Sequence, residues 1–150
     1  MIKYLCFLFF AGLSLPPKWH LNLEEAKMIA QKEHRHILLN FSGSDWCGPC
    51  ILLRKETFDD PTFLAFADTA LVLVNADFPR MKKNQLSKEQ QQQNDQLADK
   101  YNSLGKFPLT VLLNGEGKVL KEWEGNPGIK PAEFSLQVKA VIDAEKATGL

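Results

Sequence analysis

Ile37-Leu38-Leu39-Asn40-Phe41-Ser42-Gly43-Ser44-Asp45-Trp46-Cys47-Gly48-Pro49-Cys50 is the stretch on which the fold turns. Its first five residues are a short apolar run bounded by polar residues, which predicts a buried strand. Ser42 to Asp45 reads as a loop. Pro49 belongs near the start of the next helix, where its missing N–H costs nothing. That helix is expected to run through Ile51, Leu52, Leu53 and Lys55 and to end by Asp60. Cys47 and Cys50 therefore stand where a strand hands over to a helix. There, unpaired backbone N–H groups and the positive end of the dipole favour thiolate over thiol. Cys47 is expected to have a lowered pKa and to be the attacking nucleophile. Cys50, one turn on, is expected to resolve the mixed disulfide. Gly48 and Pro49 set the geometry of the link.

Working outward, Asn22 with Glu25 reads as a capping box. Leu23, Ala26, Ile29 and Ala30 then predict a helix over about 23–34. After Asp60, Pro61 opens a short helix, Thr62 to Asp68. Leu71 to Asp77 is a second buried strand. Met81 to Gln93 is polar and glutamine-rich. Ser87 with Gln90 repeats the capping-box signal, and Leu86, Leu97 and Tyr101 could dock one face. A partly solvent-facing helix over about 88–101 follows, with a mobile loop leading into it. Leu109 to Leu113 is a strand, Asn114-Gly115-Glu116-Gly117 a hairpin turn, and Lys118 to Trp123 the return strand. Pro131 to Ala147 closes the chain as an amphipathic helix whose apolar face carries Phe134, Val138, Val141 and Ile142. The order β-α-(α)-β-α-β-β-α predicts an α/β fold, with parallel first strands and an antiparallel hairpin. Trp19 reads as a packing anchor for the N-terminal helix, and Trp123 as core or sheet-face packing.

The bulk numbers agree with such a domain. The chain has 150 residues, 45% hydrophobic and 24% charged, with formal net charge +0. This is ordinary globular composition, and it lacks the basic excess expected of a nucleic-acid partner. Lys3, the apolar run Tyr4 to Leu13, and Ser14 read as a signal peptide over residues 1–14. The alternatives are an uncleaved anchor or a buried first strand. A lipoprotein reading of Cys6 fails, because Lys3-Tyr4-Leu5 are not small residues. Residues 15–150 are expected to form one domain. Cleavage would leave Cys47 and Cys50, a pair too close in sequence to act as a structural framework. A zinc site would need two further Cys or His ligands, and His20, His34 and His36 are too few and scattered for a cage. No nucleotide loop, Ser-His-Asp arrangement or cofactor motif is evident. No metal and no cofactor are therefore expected.

Trp46-Cys47-Gly48-Pro49-Cys50 is identical to the active-site motif of thioredoxins. The chain resembles that superfamily over roughly residues 19–148. The resemblance implies the thioredoxin fold, a three-layer sandwich with a central mixed β-sheet flanked by helices. It implies that Pro108, after Phe107, is cis and lies beside the cysteine pair. Trp46 and Phe107 would then line a substrate groove, with plain packing the other reading of each. Gly43 to Cys47, Arg54 to Phe58 and Asn75 to Arg80 are similar to secreted thioredoxin-like proteins of Gram-negative bacteria. They are also similar to the periplasmic C-terminal domain of the thiol:disulfide interchange protein that carries electrons across the inner membrane. Residues 81–93 look like an insertion relative to cytosolic thioredoxin.

Two departures stand out. Cytosolic thioredoxins carry a buried aspartate before the motif, where this chain has Asn40, which can hydrogen-bond but cannot titrate. The lysine that neighbours it in the family falls at about Leu73. Deprotonation of Cys50 is therefore expected to use water or another group. Asp45 and Glu56 are candidates, against plainer readings as a loop or cap residue and a solvated helix residue.

The resemblance implies a periplasmic or secreted thiol–disulfide oxidoreductase, with the reducing direction favoured by Gly48-Pro49. Its partners would be disulfide-containing proteins and a membrane electron-donor thiol protein, and the chain is expected to be a monomer. Other readings are a binding or chaperone-like module whose thiols are not essential, and metal delivery through the dithiol.

Overall fold

The computed structural model describes residues 17–149. The segment read as a signal peptide, with Cys6, lies outside the described residues. The elements are β1 (Trp19–His20), α1 (Leu23–Glu33), β2 (His36–Ser42) and α2 (Gly48–Leu53), followed by a π-helical turn (Arg54–Phe58). Then come α3 (Pro61–Ala70), β3 (Leu71–Asp77), a 3-10 turn (Lys82–Asn84), α4 (Lys88–Tyr101), β4 (Leu109–Leu113), β5 (Val119–Glu124) and α5 (Pro131–Thr148).

The strands form one sheet in the order β1-β3-β2-β4-β5. β1, β3 and β2 are parallel, and β4 and β5 are antiparallel to their neighbours. Successive strand residues point to opposite faces, and both faces are covered. Ile37, Leu39, Phe41, Val72, Val74 and Val111 pack with Leu23, Ala26 and Ala30 of α1 and Tyr101 of α4. Leu38, Leu71, Leu73 and Leu112 pack with Phe58, with Phe63 and Ala67 of α3, and with Phe134, Val138 and Ile142 of α5. This is the expected three-layer sandwich with a mixed central sheet.

The second face changes chemistry along its length. Leu38 and Leu73 pair across β2 and β3, and one step further the pair is Asn40 and Asn75. Ser42 and Asp77 complete the polar end, where β2 hands over to the loop carrying the cysteines.

Local signals explain most boundaries. Asn22 Oδ1 accepts from the amides of Glu24 at 2.8 Å and Glu25 at 3.1 Å, starting α1. The reciprocal half of the capping box does not form, because Glu25 turns to His20 at 3.5 Å. The same holds at α4. Ser87 Oγ accepts from the Gln90 amide, but the Gln90 side chain donates to Leu21 O and Asn94 Oδ1 instead of returning. Asn94, 1% exposed, donates to Asp77 O at 2.8 Å. The glutamine-rich stretch is thus a helix pinned to the end of β3. In the hairpin, Asn114 Oδ1 accepts from the amides of Glu116 and Lys118. Gly117 takes φ +88°, with the Tyr101 hydroxyl where a Cβ would need room.

One strand was not expected, and two expectations need correction. β1 has only two residues, too few for alternation to show. The helix after Pro49 does not run uniformly to Asp60; it widens into the π turn, closed by Asp59 N–H donating to Arg54 O. An i→i+5 turn inserts one residue, which lets both Thr57 and Phe58 join Leu53 in burial. Trp19 packs on Phe58, ring centroids 5.3 Å apart, with the Arg54 guanidinium 4.9 Å from its ring. It therefore anchors the helix after the cysteines rather than α1. Trp123 packs in the core against Phe134 and donates to Gln137 Oε1.

Candidate active site

Cys47 is the N-cap of α2, and its sulfur accepts from the Cys50 amide at 3.3 Å. The two cysteines form a disulfide with Cα atoms 5.3 Å apart. They are 5% and 4% exposed, while Gly48 and Pro49 between them are exposed. A tight turn presents this cap: the amides of Trp46 and Cys47 both donate to Gly43 O. Gly43 is required by close approach, since a Cβ there would stand 2.3 Å from the Trp46 ring.

Beside the disulfide lies an aromatic wall. Trp46 meets Phe107 edge-on with centroids 5.4 Å apart, and Phe107 meets Phe78 in the same way. Trp46 Nε1 donates to Phe78 O at 2.7 Å. Trp46 and Phe107 are half-buried, and Phe107 also packs against the first core. The Phe107–Pro108 peptide is cis. Phe41 pairs with Leu109, so Pro108 stands next to the end of β2, from which the cysteine loop leaves.

On the side of Cys50 is a cleft of about 290 Å³, lined by Asn40, Ser42, Asn75, Lys55 and Asp59 among others. Its floor is a neutral hydrogen-bonded set. Asn40 Nδ2 donates to Asn75 Oδ1 and Thr110 Oγ1 to Asn40 Oδ1, while the Ser42 hydroxyl lies within reach of both Asn75 Oδ1 at 3.3 Å and Asp77 Oδ1 at 3.2 Å. Leu73, the position where the resemblance puts a lysine, faces Leu38 in the apolar core instead. Neither Asp45 nor Glu56 lines this cleft. Its carboxylate is Asp59, which accepts from Arg54 Nε at 2.6 Å.

Asp45 has another task. Its carboxylate accepts from the amides of Arg80 and Met81 and from Asn84 Nδ2, each near 3 Å. The Arg80 amide, then the Asn84 side chain, hold its pKa below the ordinary aspartate value. The loop expected to be mobile is thus tied to the cysteine loop by one side chain. Asn75, Lys55, Asp59, Phe78, Arg80 and Gly43 were not expected as site residues, although all but Asp59 lie in the stretches that carry the resemblance to secreted thioredoxin-like proteins.

A family model described as thioredoxin-like matches residues 18–115. The chain belongs to this thioredoxin-like family. The thioredoxin-like chain is 38% identical over 118 residues, 79% of itself and 69% of the relative, to the disulfide bond reductase DsbH of Chlamydia pneumoniae. It is 30% identical to a solved structure described as DsbH oxidoreductase, with a TM-score of 0.77 and 95% of each chain covered. The C-terminal domain of Neisseria meningitidis DsbD, oxidised form, shares the fold at 15% identity and a TM-score of 0.53, over 79% of this chain and 90% of that one. This thioredoxin-like protein is a thiol–disulfide oxidoreductase acting on protein disulfides, with Cys47–Cys50 as its C-x-x-C disulfide.

Proposed function

We propose that this chain works as a reductase of polypeptide disulfides outside the cytoplasm. The observation that carries the reading is the Cys47–Cys50 disulfide at the cap of α2, Cys47 sulfur against the Cys50 amide. The similarity to a protein named a disulfide bond reductase supports the direction.

In the reduced state the thiolate of Cys47 attacks one sulfur of the substrate disulfide, forming a mixed disulfide and expelling the other sulfur as a thiolate. Cys50, having lost its proton, attacks Cys47 Sγ and expels the second substrate sulfur. The substrate gains two electrons and two protons, and Cys47–Cys50 becomes the disulfide. A membrane-bound dithiol donor returns the two electrons by the same exchange in reverse. The cleft floor is neutral and Asp59 is engaged by Arg54, so the Cys50 proton leaves to solvent reaching the cleft. Trp46, Phe107 and Pro108 form the groove for the substrate backbone, and Gly48 and Pro49 fix the cysteine spacing. Residues 1–14 direct export, residues 15–150 are the working domain, and the protein acts as a monomer.

Equilibration of the Cys47–Cys50 pair with glutathione tests the direction. The expected potential lies near that of a reducing thioredoxin, about −270 mV, and far from strong oxidants at about −120 mV. Insulin should be reduced when a dithiol donor is supplied. A potential near the oxidant value would reverse the proposed direction.

A further inference from the structure

The guanidinium of Arg80 lies over the Trp46 ring, 3.7 Å from its centroid. Both sides of this stack are fixed. The indole is held by its bond to Phe78 O and by contact with Gly43. The Arg80 backbone is held by Asp45. Stacking uses the face of the guanidinium and leaves its in-plane N–H donors directed outward. No carboxylate of the described residues pairs with them. Lys82 and Lys83 follow on the same loop, exposed and likewise without an ion-pair partner among the described residues. The nearby acids are spent: Asp45 on the loop amides and Asp77 on Ser42 and Ser44. In a chain of zero formal charge, Arg80 thus presents a guanidinium without an ion-pair partner among the described residues, against the tryptophan of the cysteine motif.

Trp46 immediately precedes Cys47, so a polypeptide whose cysteine reaches Cys47 lays the neighbouring residues across the indole. A preoriented guanidinium at that place offers two parallel donors to a carboxylate. We propose that Arg80 is a specificity-determining residue that receives an Asp or Glu side chain flanking the substrate cysteine. The proposal rests on the reading of this chain as a reductase of polypeptide disulfides, and names the class of polypeptide it prefers.

The test uses disulfide-bonded peptides that differ only by Glu, Gln or Lys, placed in turn at each near neighbour of the cysteine. At the position facing Arg80, the Glu peptide should be reduced with kcat/KM about threefold to tenfold above the Gln peptide, as a semi-exposed charged pair allows. The Lys peptide should fall below both. The Glu/Gln ratio should collapse to near one in Arg80→Met, survive in part in Arg80→Lys, and invert in Arg80→Glu. Added salt should shrink the ratio. Equal rates for Glu and Gln at every position would overturn the proposal, as would a ratio that Arg80→Met leaves intact. Failure of the parent reading looks different: the wild type would reduce neither peptide, and the proposal would go with it.

Discussion

A methyl group added at Gly43 has nowhere to go, because a Cβ there would lie 2.3 Å from the Trp46 ring. Gly43→Ala should displace the indole and break its bond to Phe78 O, at a cost of about 1 kcal/mol. The Trp46 indole N–H resonance and the melting temperature would show it. Asp45 makes a prediction about pH. Its folded pKa is lowered by the Arg80 amide, the Asn84 side chain and the Met81 amide. A depressed carboxylate contributes stability that is present above its unfolded pKa and is lost as pH falls through the folded one. The 80–84 loop should therefore stay tied through neutral and mildly acid pH, and open only below the ordinary aspartate range. Hydrogen exchange at the Arg80 and Met81 amides would report it, with protection lost at neutral pH in Asp45→Ala. Asn40 speaks to the proton of Cys50, whose cleft it shares. Asn40→Asp introduces a base there, and should speed resolution of the mixed disulfide by about tenfold or more at neutral pH. Resolution no faster than wild type would remove the support for solvent as the acceptor in the native protein.

Helix starts were legible because a cap is a local device. Asn22→Ala should cost about 1 kcal/mol, since its side chain satisfies two α1 amides, and the loss would appear in chemical denaturation. β2, β3 and β4 were legible because buried strands read as apolar runs. What stayed hidden depends on partners distant in sequence. Glu25 and Gln90 leave their capping boxes for His20 and for Leu21. β1 exists because Trp19 and His20 find Leu73 and Val74. The π turn exists because Thr57 and Phe58 must both turn inward. None of these choices is written in a local pattern. The candidate site divides the same way. Trp46, Cys47, Gly48, Pro49 and Cys50 are contiguous and carry their own meaning, and Phe107-Pro108 was placed by resemblance. Asn75, Asp59 and Arg80 join them only through the parallel pairing of β2 with β3 and the packing of the π turn.

At the scale of the molecule, the two packed faces of the sheet do different work. The α1/α4 side is apolar along the strands. The α3/α5 side is apolar at one end and polar beneath Cys50. Phe134 ties the apolar end together, in ring contact with Phe58, Phe63 and Trp123. Phe134→Ala should cost about 3–5 kcal/mol and lower the melting temperature of the whole sandwich, as followed by circular dichroism. The polar end serves the disulfide, and the division of labour within that disulfide is the central claim. Trapping tests it most directly. Reduced Cys50→Ser, mixed with a disulfide-bonded polypeptide, should accumulate a covalent adduct that mass spectrometry maps to Cys47. Reduced Cys47→Ser should accumulate none and should not turn over. Adducts mapped to Cys50, or undiminished reduction by Cys47→Ser, would contradict the account.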